Sequence, residues 1–465
     1  ILMSNLAYIF EGENSQQMEL AFDKLSLELT QSQLLDIVFK SSFVGKALDD
    51  LVISIAKNEE ASIPKDISYM GNDGECSIFL NSLKLFLKNG GGPVLITMME
   101  QKDNLGAEAI LQMLDIFTSE VNIYESKTIL DVLLDSKLLY YMVSTYLTYA
   151  EFGAFKLYLP NETIEYITEG TGENLRVYKM IKQTEIKTIT DLLSNCKELI
   201  VELIKNPNEI DYATILTNQY IRETIDKSLL LQGTMANIII GISTEQNVIV
   251  LPEMFDQPEQ WLSSDAKGEI EILINAVYHM AESDKTLIND LMNGSIKAST
   301  LIGLDNSILE MICTSKVLRY TISDMITTLG SNDFEIVVAR SSIELLAAKT
   351  TTAKTVDVIS ARELSEIFVD IKTIVDFDEQ DQVKVDYNAI FENKAEISKN
   401  KTITATLVQM MLKYEESGFL VVPRKYQEDF EKIKTEVVLN NNVWFGTSIG
   451  SEDDELFLML SAIET

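Results

Sequence analysis

The 465-residue sequence predicts a predominantly helical α+β protein, built as a tandem array of about five helix–helix–strand units, extended in solenoid or beads-on-string fashion. Three observations predict it. Short apolar segments closing in proline recur along the chain. A small polar residue stands 23 or 24 residues before each of them. The stretch between carries apolar residues at helical spacing, and self-similarity at a near-fixed period is the signature of repeat architectures.

The proline-ended segments are Ser62-Ile63-Pro64, Tyr158-Leu159-Pro160, Val250-Leu251-Pro252 and Val421-Val422-Pro423, each expected to be a strand. A fifth, Ile336-Val337-Val338-Ala339, ends in alanine. Upstream stand Ser41, Ser136, Ser228, Ser315 and Asn400. Serine and asparagine are favoured helix N-caps, because a short oxygen side chain accepts from the free amides of the first turn.

After these caps the apolar columns step by 3, 7 and 10 residues. The first holds Val44, Leu139, Leu231, Leu318 and Ile403, and the second Leu48, Val143, Met235, Ile322 and Leu407. The third holds Leu51, Tyr146, Ile238, Met325 and Met410, which completes one stripe of an α-helix. A second helix is anchored on Glu75, Glu185, Glu269, Glu363 and Glu455, with apolar columns 1, 4 and 8 residues later. A carboxylate in a first turn complements the helix dipole, so these acids need no catalytic role. Aromatic residues precede several of them (Tyr69, Tyr178, Trp261, Trp444), suggesting a second strand beside the proline-ended one.

Laid out this way, the units are 1–70, 71–180, 181–265, 266–358 and 359–450, and 451–465 opens a further one. Leu2 and Leu6 fit the columns after the acid, so the first unit is expected to begin inside a helix of a longer array.

Composition narrows function. With 38 basic against 72 acidic residues the net charge is −34, which disfavours nucleic acid and anionic membranes as partners. The longest uncharged run, Ser228 to Thr244, has 17 residues and includes Gln232, Gly233, Asn237 and Gly241. A span needs about 20 apolar residues, so a buried helix is expected instead. Cys76, Cys196 and Cys313 have no metal-ligand spacing and fall in apolar helical patterns, as buried thiols do.

The sole histidine, His279, follows Val277 on a helix face, where a structural role is expected. There is no GxSxG, Walker or GxGxxG motif, hence no catalytic residue, cofactor or metal assignment. Asp376, Asp378 and Asp381, like Glu452, Asp453, Asp454 and Glu455, lack the EF-hand order and fit solvated loops. Asn161-Glu162-Thr163, Asn293-Gly294-Ser295 and Asn400-Lys401-Thr402 match the short glycosylation sequon.

The order of acid-led helix, Ser-capped helix and apolar segment closing in Pro resembles the units of very large surface or structural repeat proteins of low-GC Gram-positive bacteria and mollicutes. The resemblance covers all five units, with Ala339 in place of proline and Asn400 in place of serine. It implies a long structural or surface protein, acting through protein partners or self-association, and carries no catalytic residues. A virion or other large-assembly component is the alternative, and an enzyme comes third. Specificity in such arrays is expected in the insertions, here 90–124 and 424–454. The second contains Tyr426, Trp444 and Phe445 as candidate interaction residues.

Overall fold

A computed structural model describes residues 75–91, 107–122, 127–149, 151–152, 155–169, 176–199, 211–246, 250–263, 267–292, 297–328, 330–331, 334–335, 338, 342–347, 355–378 and 383–393, together with Thr406 and Arg424. The chain divides into two compact units, Ile1–Ile210 with Gln219–Met235 and Asp211–Asn218 with Ala236–Thr465. The described residues are mostly helical, and their strands form two-stranded antiparallel sheets.

The first unit contains α1 (Glu75–Lys88), α2 (Ala107–Phe117), β1 (Glu120–Asn122), β2 (Lys127–Thr128), α3 (Ile129–Asp135) and α4 (Lys137–Tyr149). After β3 (Glu151–Phe152) and β4 (Phe155–Lys156) come a hairpin of β5 (Ile164–Glu169) and β6 (Arg176–Ile181), then α5 (Gln183–Asn195). Its core joins Phe79, Leu83 and Phe86 of α1 to Ile129 and Leu133 of α3, Leu138 of α4, Met180 and Ile181 of β6, and Ile186 and Ile189 of α5. Phe79 and Leu83 after Glu75, and Ile186 and Ile189 after Glu185, thus face inward, as their spacing predicts.

α6 (Tyr212–Leu216) belongs to the second unit and α7 (Gln219–Lys227) to the first, and α8 (Leu229–Gln246) contributes to both. The second unit continues with α9 (Glu269–Ser283), α10 (Lys285–Met292), α11 (Ala298–Ile302), α12 (Asn306–Thr314) and α13 (Lys316–Thr328). Next come β7 (Gly330–Ser331), β8 (Phe334–Glu335) and a hairpin of β9 (Ile343–Ala347) and β10 (Thr355–Ile359). α14 (Ala361–Ile374), β11 (Val375–Phe377), β12 (Val383–Val385) and α15 (Tyr387–Glu392) follow. Ile270, Leu273 and Val277 of α9 and Leu364, Ile367 and Ile371 of α14 are buried, again the columns predicted after the acid.

Several expectations need correction. The proline-ended segments 158–160 and 250–252 are extended but join no ladder. Each lies against a helix further along the chain. Tyr158 N–H donates to Thr234 Oγ1 of α8 at 3.1 Å, and Thr321 Oγ1 of α13 donates to Val250 C=O at 3.1 Å. A threonine hydroxyl thereby replaces a strand partner, and proline has no N–H to give a ladder. Gly233 allows the first approach: a Cβ there would meet Tyr158 Cδ1 at 2.8 Å and Pro160 Cγ at 3.0 Å.

The longest strands lie instead in the hairpins just before two of the acid-led helices, α5 and α14. Tyr178 is in a strand, as expected, but it pairs with Ile167. Trp261 is in no strand. It sits in a short 3-10 helix, fully buried, with Nε1 donating to Phe255 C=O at 3.0 Å. The segment 90–124 is not merely a surface insertion, because it contains α2, whose Met113, Leu114, Ile116 and Phe117 are buried.

The uncharged run does form a helix, α8, in which Leu230, Gln232, Thr234, Ala236 and Ile239 are buried. Among the described residues no helix is long and apolar enough to cross a membrane. The unit markers Ser41, Asn400, Pro64 and Pro423 lie outside the described residues, as do Glu455, Tyr426, Trp444 and Phe445.

Candidate functional site

Three buried serines stand at the corners between consecutive helices. Ser136 joins α3 to α4, Ser228 joins α7 to α8, and Ser315 joins α12 to α13. All three have no exposed surface. Each bonds to both sides of its bend. The serine N–H donates back to Leu133, Ile225 and Ile312 C=O at 3.3, 3.1 and 3.2 Å, closing the first helix. The hydroxyl accepts from Leu139, Leu231 and Leu318 N–H at 3.2, 3.1 and 3.1 Å, opening the second. The second bond is the N-cap that the sequence predicts. The first ends a helix that the spacing does not predict, just before each of the three corners.

The acids have a second role beyond the helix dipole. Ser315 Oγ donates to Glu269 Oε1 at 2.7 Å, and Val317 N–H donates to the same oxygen at 3.0 Å. Ser228 Oγ likewise donates to Glu185. The carboxylate therefore ties the start of its own helix to the next serine corner. Burial raises the Glu269 carboxyl above the usual carboxylate range, against the lowering effect of the Val317 amide and the Ser315 hydroxyl.

Further bonds run from the corner helices to the hairpins. Four residues after Ser136, the Tyr140 hydroxyl bonds Glu165, the second residue of β5, and also donates to Ile181 C=O at 2.5 Å. Four residues after Ser315, Arg319 Nη1 lies 2.5 Å from Glu344 Oε1, the second residue of β9. Eight residues after the same serines, Ser144 Oγ accepts from Ile181 N–H at 2.8 Å and Ser323 Oγ accepts from Ile359 N–H at 3.2 Å. The hairpin bases match too: Lys182 N–H to Thr163 C=O and Ser360 N–H to Ser342 C=O, both 2.8 Å.

After Ser228 no such hairpin follows among the described residues; two short 3-10 helices (Glu253–Phe255 and Pro258–Trp261) lie in that stretch. The residue eight places on is Ala236, without a hydroxyl. Gln232, four places on, turns its amide to Ile225 C=O at 3.1 Å.

These buried polar columns displace the expected stripe in α4 and α8, whereas in α13 the predicted Leu318 and Ile322 are buried as expected. In α4 and α8 the predicted residues Leu139, Val143, Leu231 and Met235 are half-buried, and the innermost positions belong to Leu138, Ser144, Leu230 and Ala236. Thr234 and Thr321, six residues after Ser228 and Ser315, are buried as well, as is Thr406. A column of threonines was the available signal, and apolar counting passes over it.

The other residues singled out by the sequence are placed as follows. Burial raises the thiols of Cys196 and Cys313, the latter to about 11, so both stay protonated near neutral pH. Cys196 is buried and Cys313 partly so; the Cys76 side chain is outside the described residues. His279 is half exposed, its Nδ1 3.4 Å from Glu282 Oε2 and its ring edge-on to Tyr278. In the first sequon Thr163 has no exposed surface and donates to Pro160 C=O at 2.7 Å. Asp376 accepts from the Phe377 amide within β11. Among the described residues no group of three acid, histidine or cysteine side chains converges as metal ligands would.

Among the described residues three of the five exposed large apolar side chains are on the hairpins; the other two, Tyr220 and Val369, are on α7 and α14. Tyr166 and Val177 of the first are 62% and 55% exposed, and Leu345 of the second is 66% exposed. Tyr166 and Leu345 occupy the same place, the third residue of their strands. Comparison with protein-family models, with curated proteins and with solved structures finds no match to this chain.

Proposed function

We propose that the chain is part of a tandem repeat array serving as a non-enzymatic scaffold, with about five units related by the serine corner and its acid. The observation that carries this reading is the recurrence of one bonding framework around Ser136 and Ser315. In both places the same offsets supply the cap, the contact to the second residue of a hairpin and the hydroxyl beneath its last amide. Unrelated helices have no reason to reproduce such a set at matching spacing. The Ser228 corner keeps the cap and the acid but loses the hairpin bonds together with the hairpin, as a diverged copy would.

A scaffold role follows from where the polar groups point. Their bonds run inward, between elements, and leave the hairpin faces and connections as the variable surface on which repeat proteins bind partners.

Equivalent positions should respond alike. Ser144→Ala and Ser323→Ala each strand a buried amide and should each lower stability by about 1–3 kcal/mol. Ala236→Ser, at the copy without a hairpin amide to receive it, should bring no gain. Urea unfolding of the three variants tests this. A large loss at one serine with none at the other would contradict the equivalence of the units.

A further inference from the structure

We infer that the outer faces of the two hairpins bind a second copy of this chain head to tail, the β5–β6 face of one copy against the β9–β10 face of the next. This contact rests on the scaffold reading and gives the scaffold its partner. Tyr166 stands opposite Lys179 in the first hairpin, with Val177 on the neighbouring pair of the same face. At the corresponding place in the second hairpin Leu345 stands opposite Asp357. Side chains of directly paired residues share one face of a sheet, so each hairpin presents a large apolar group beside one charge. The two charges are of opposite sign.

The overall charge sharpens the choice of partner face. In a chain carrying −34, two copies repel unless a local contact is attractive. Like against like would oppose Lys179 to Lys179 or Asp357 to Asp357. First against second sets Lys179 on Asp357 while Tyr166 and Val177 cover Leu345. Such a contact is heterologous: a pair joined this way keeps one unused face of each kind, so association continues beyond two copies, as a filament or long scaffold requires.

Sedimentation velocity of the 465-residue chain over a range of concentrations, at low and high salt, tests this. Concentration-dependent oligomers are expected at both salt concentrations, since salt screens the repulsion between copies as well as the Lys179–Asp357 attraction. Lys179→Asp and Asp357→Lys should each weaken association by about tenfold or more, because each opposes like charges. Their equimolar mixture should recover it, since the carboxylate introduced in one variant then meets the ammonium introduced in the other. Circular dichroism of each variant distinguishes lost contact from lost folding, and Tyr166→Ser and Leu345→Ser provide second variants that leave the charges in place. A chain that stays monomeric to about 1 mM, the weak end of specific binding, would overturn the inference. So would oligomers indifferent to all four substitutions. Neither result would touch the matched serine experiment, which tests the repeat separately.

Discussion

Deleting residues 90–124 is expected to abolish cooperative folding of the first compact unit. The deletion removes α2 and with it four buried side chains, Met113, Leu114, Ile116 and Phe117. Burial of each such side chain is worth about 1.5–3 kcal/mol, so the gross loss is roughly 6–12 kcal/mol. That is comparable to the whole stability of a domain, about 5–15 kcal/mol. Further losses follow. Phe117 leaves the ring of Phe86, whose centroid lies 6.2 Å away, and Ser119 no longer receives the Ile129 amide at 3.0 Å. Thermal unfolding by circular dichroism, with dye binding to exposed apolar surface, measures the outcome. A deletion that melts like the parent chain would show that α2 is dispensable to the core.

Glu269 should separate two contributions of one carboxylate. Glu269→Ala strands the Ser315 hydroxyl and the Val317 amide, each a loss of about 1–3 kcal/mol, while sparing the burial of a charge. A net loss of roughly 2 kcal/mol is expected. Glu269→Gln keeps an acceptor in place and resembles the protonated acid. Because the folded carboxyl is raised above its unfolded value, the folded state takes up a proton more readily than the unfolded chain. The stability this provides is fully present below the unfolded value and is lost as pH rises through the folded one. Glutamine has no such dependence. Its stability relative to the parent should therefore be most favourable near neutral pH and should fall on acidification. Urea titrations followed by tryptophan fluorescence at several pH values check this, and a difference independent of pH would refute the burial argument.

How much of this is legible in the sequence depends on how each residue is held. The acid-led helices are readable because their columns are plain hydrocarbon: Ile186, Ile270 and Leu364 are buried where spacing places them. The serine corners are half readable. A cap pattern reveals the amides a serine accepts from, but not that the same serine closes the helix before it or receives a glutamate more than forty residues away.

The proline-ended segments mislead because apolar residues followed by proline fit an extended chain, and extension alone does not supply a strand partner. The Tyr140, Arg319, Ser144 and Ser323 positions escape notice for a simple reason. Polar residues on an inward face look like solvated ones until their partners are known. The hairpin faces are invisible for the opposite reason: Tyr166 and Leu345 resemble core residues in any apolar pattern. The candidates Tyr426, Trp444 and Phe445 lie outside the described residues, so the interaction surface proposed on the hairpins stands on other side chains.

The central claim, an extended array of like units, meets its most direct test in small-angle X-ray scattering from the monomer fraction, measured at low concentration. A compact chain of this length has a radius of gyration of about 23 Å. An array of about five units predicts a value well above that, with a pair-distance distribution skewed to long distances. A radius near 23 Å with a symmetric distribution would contradict the array.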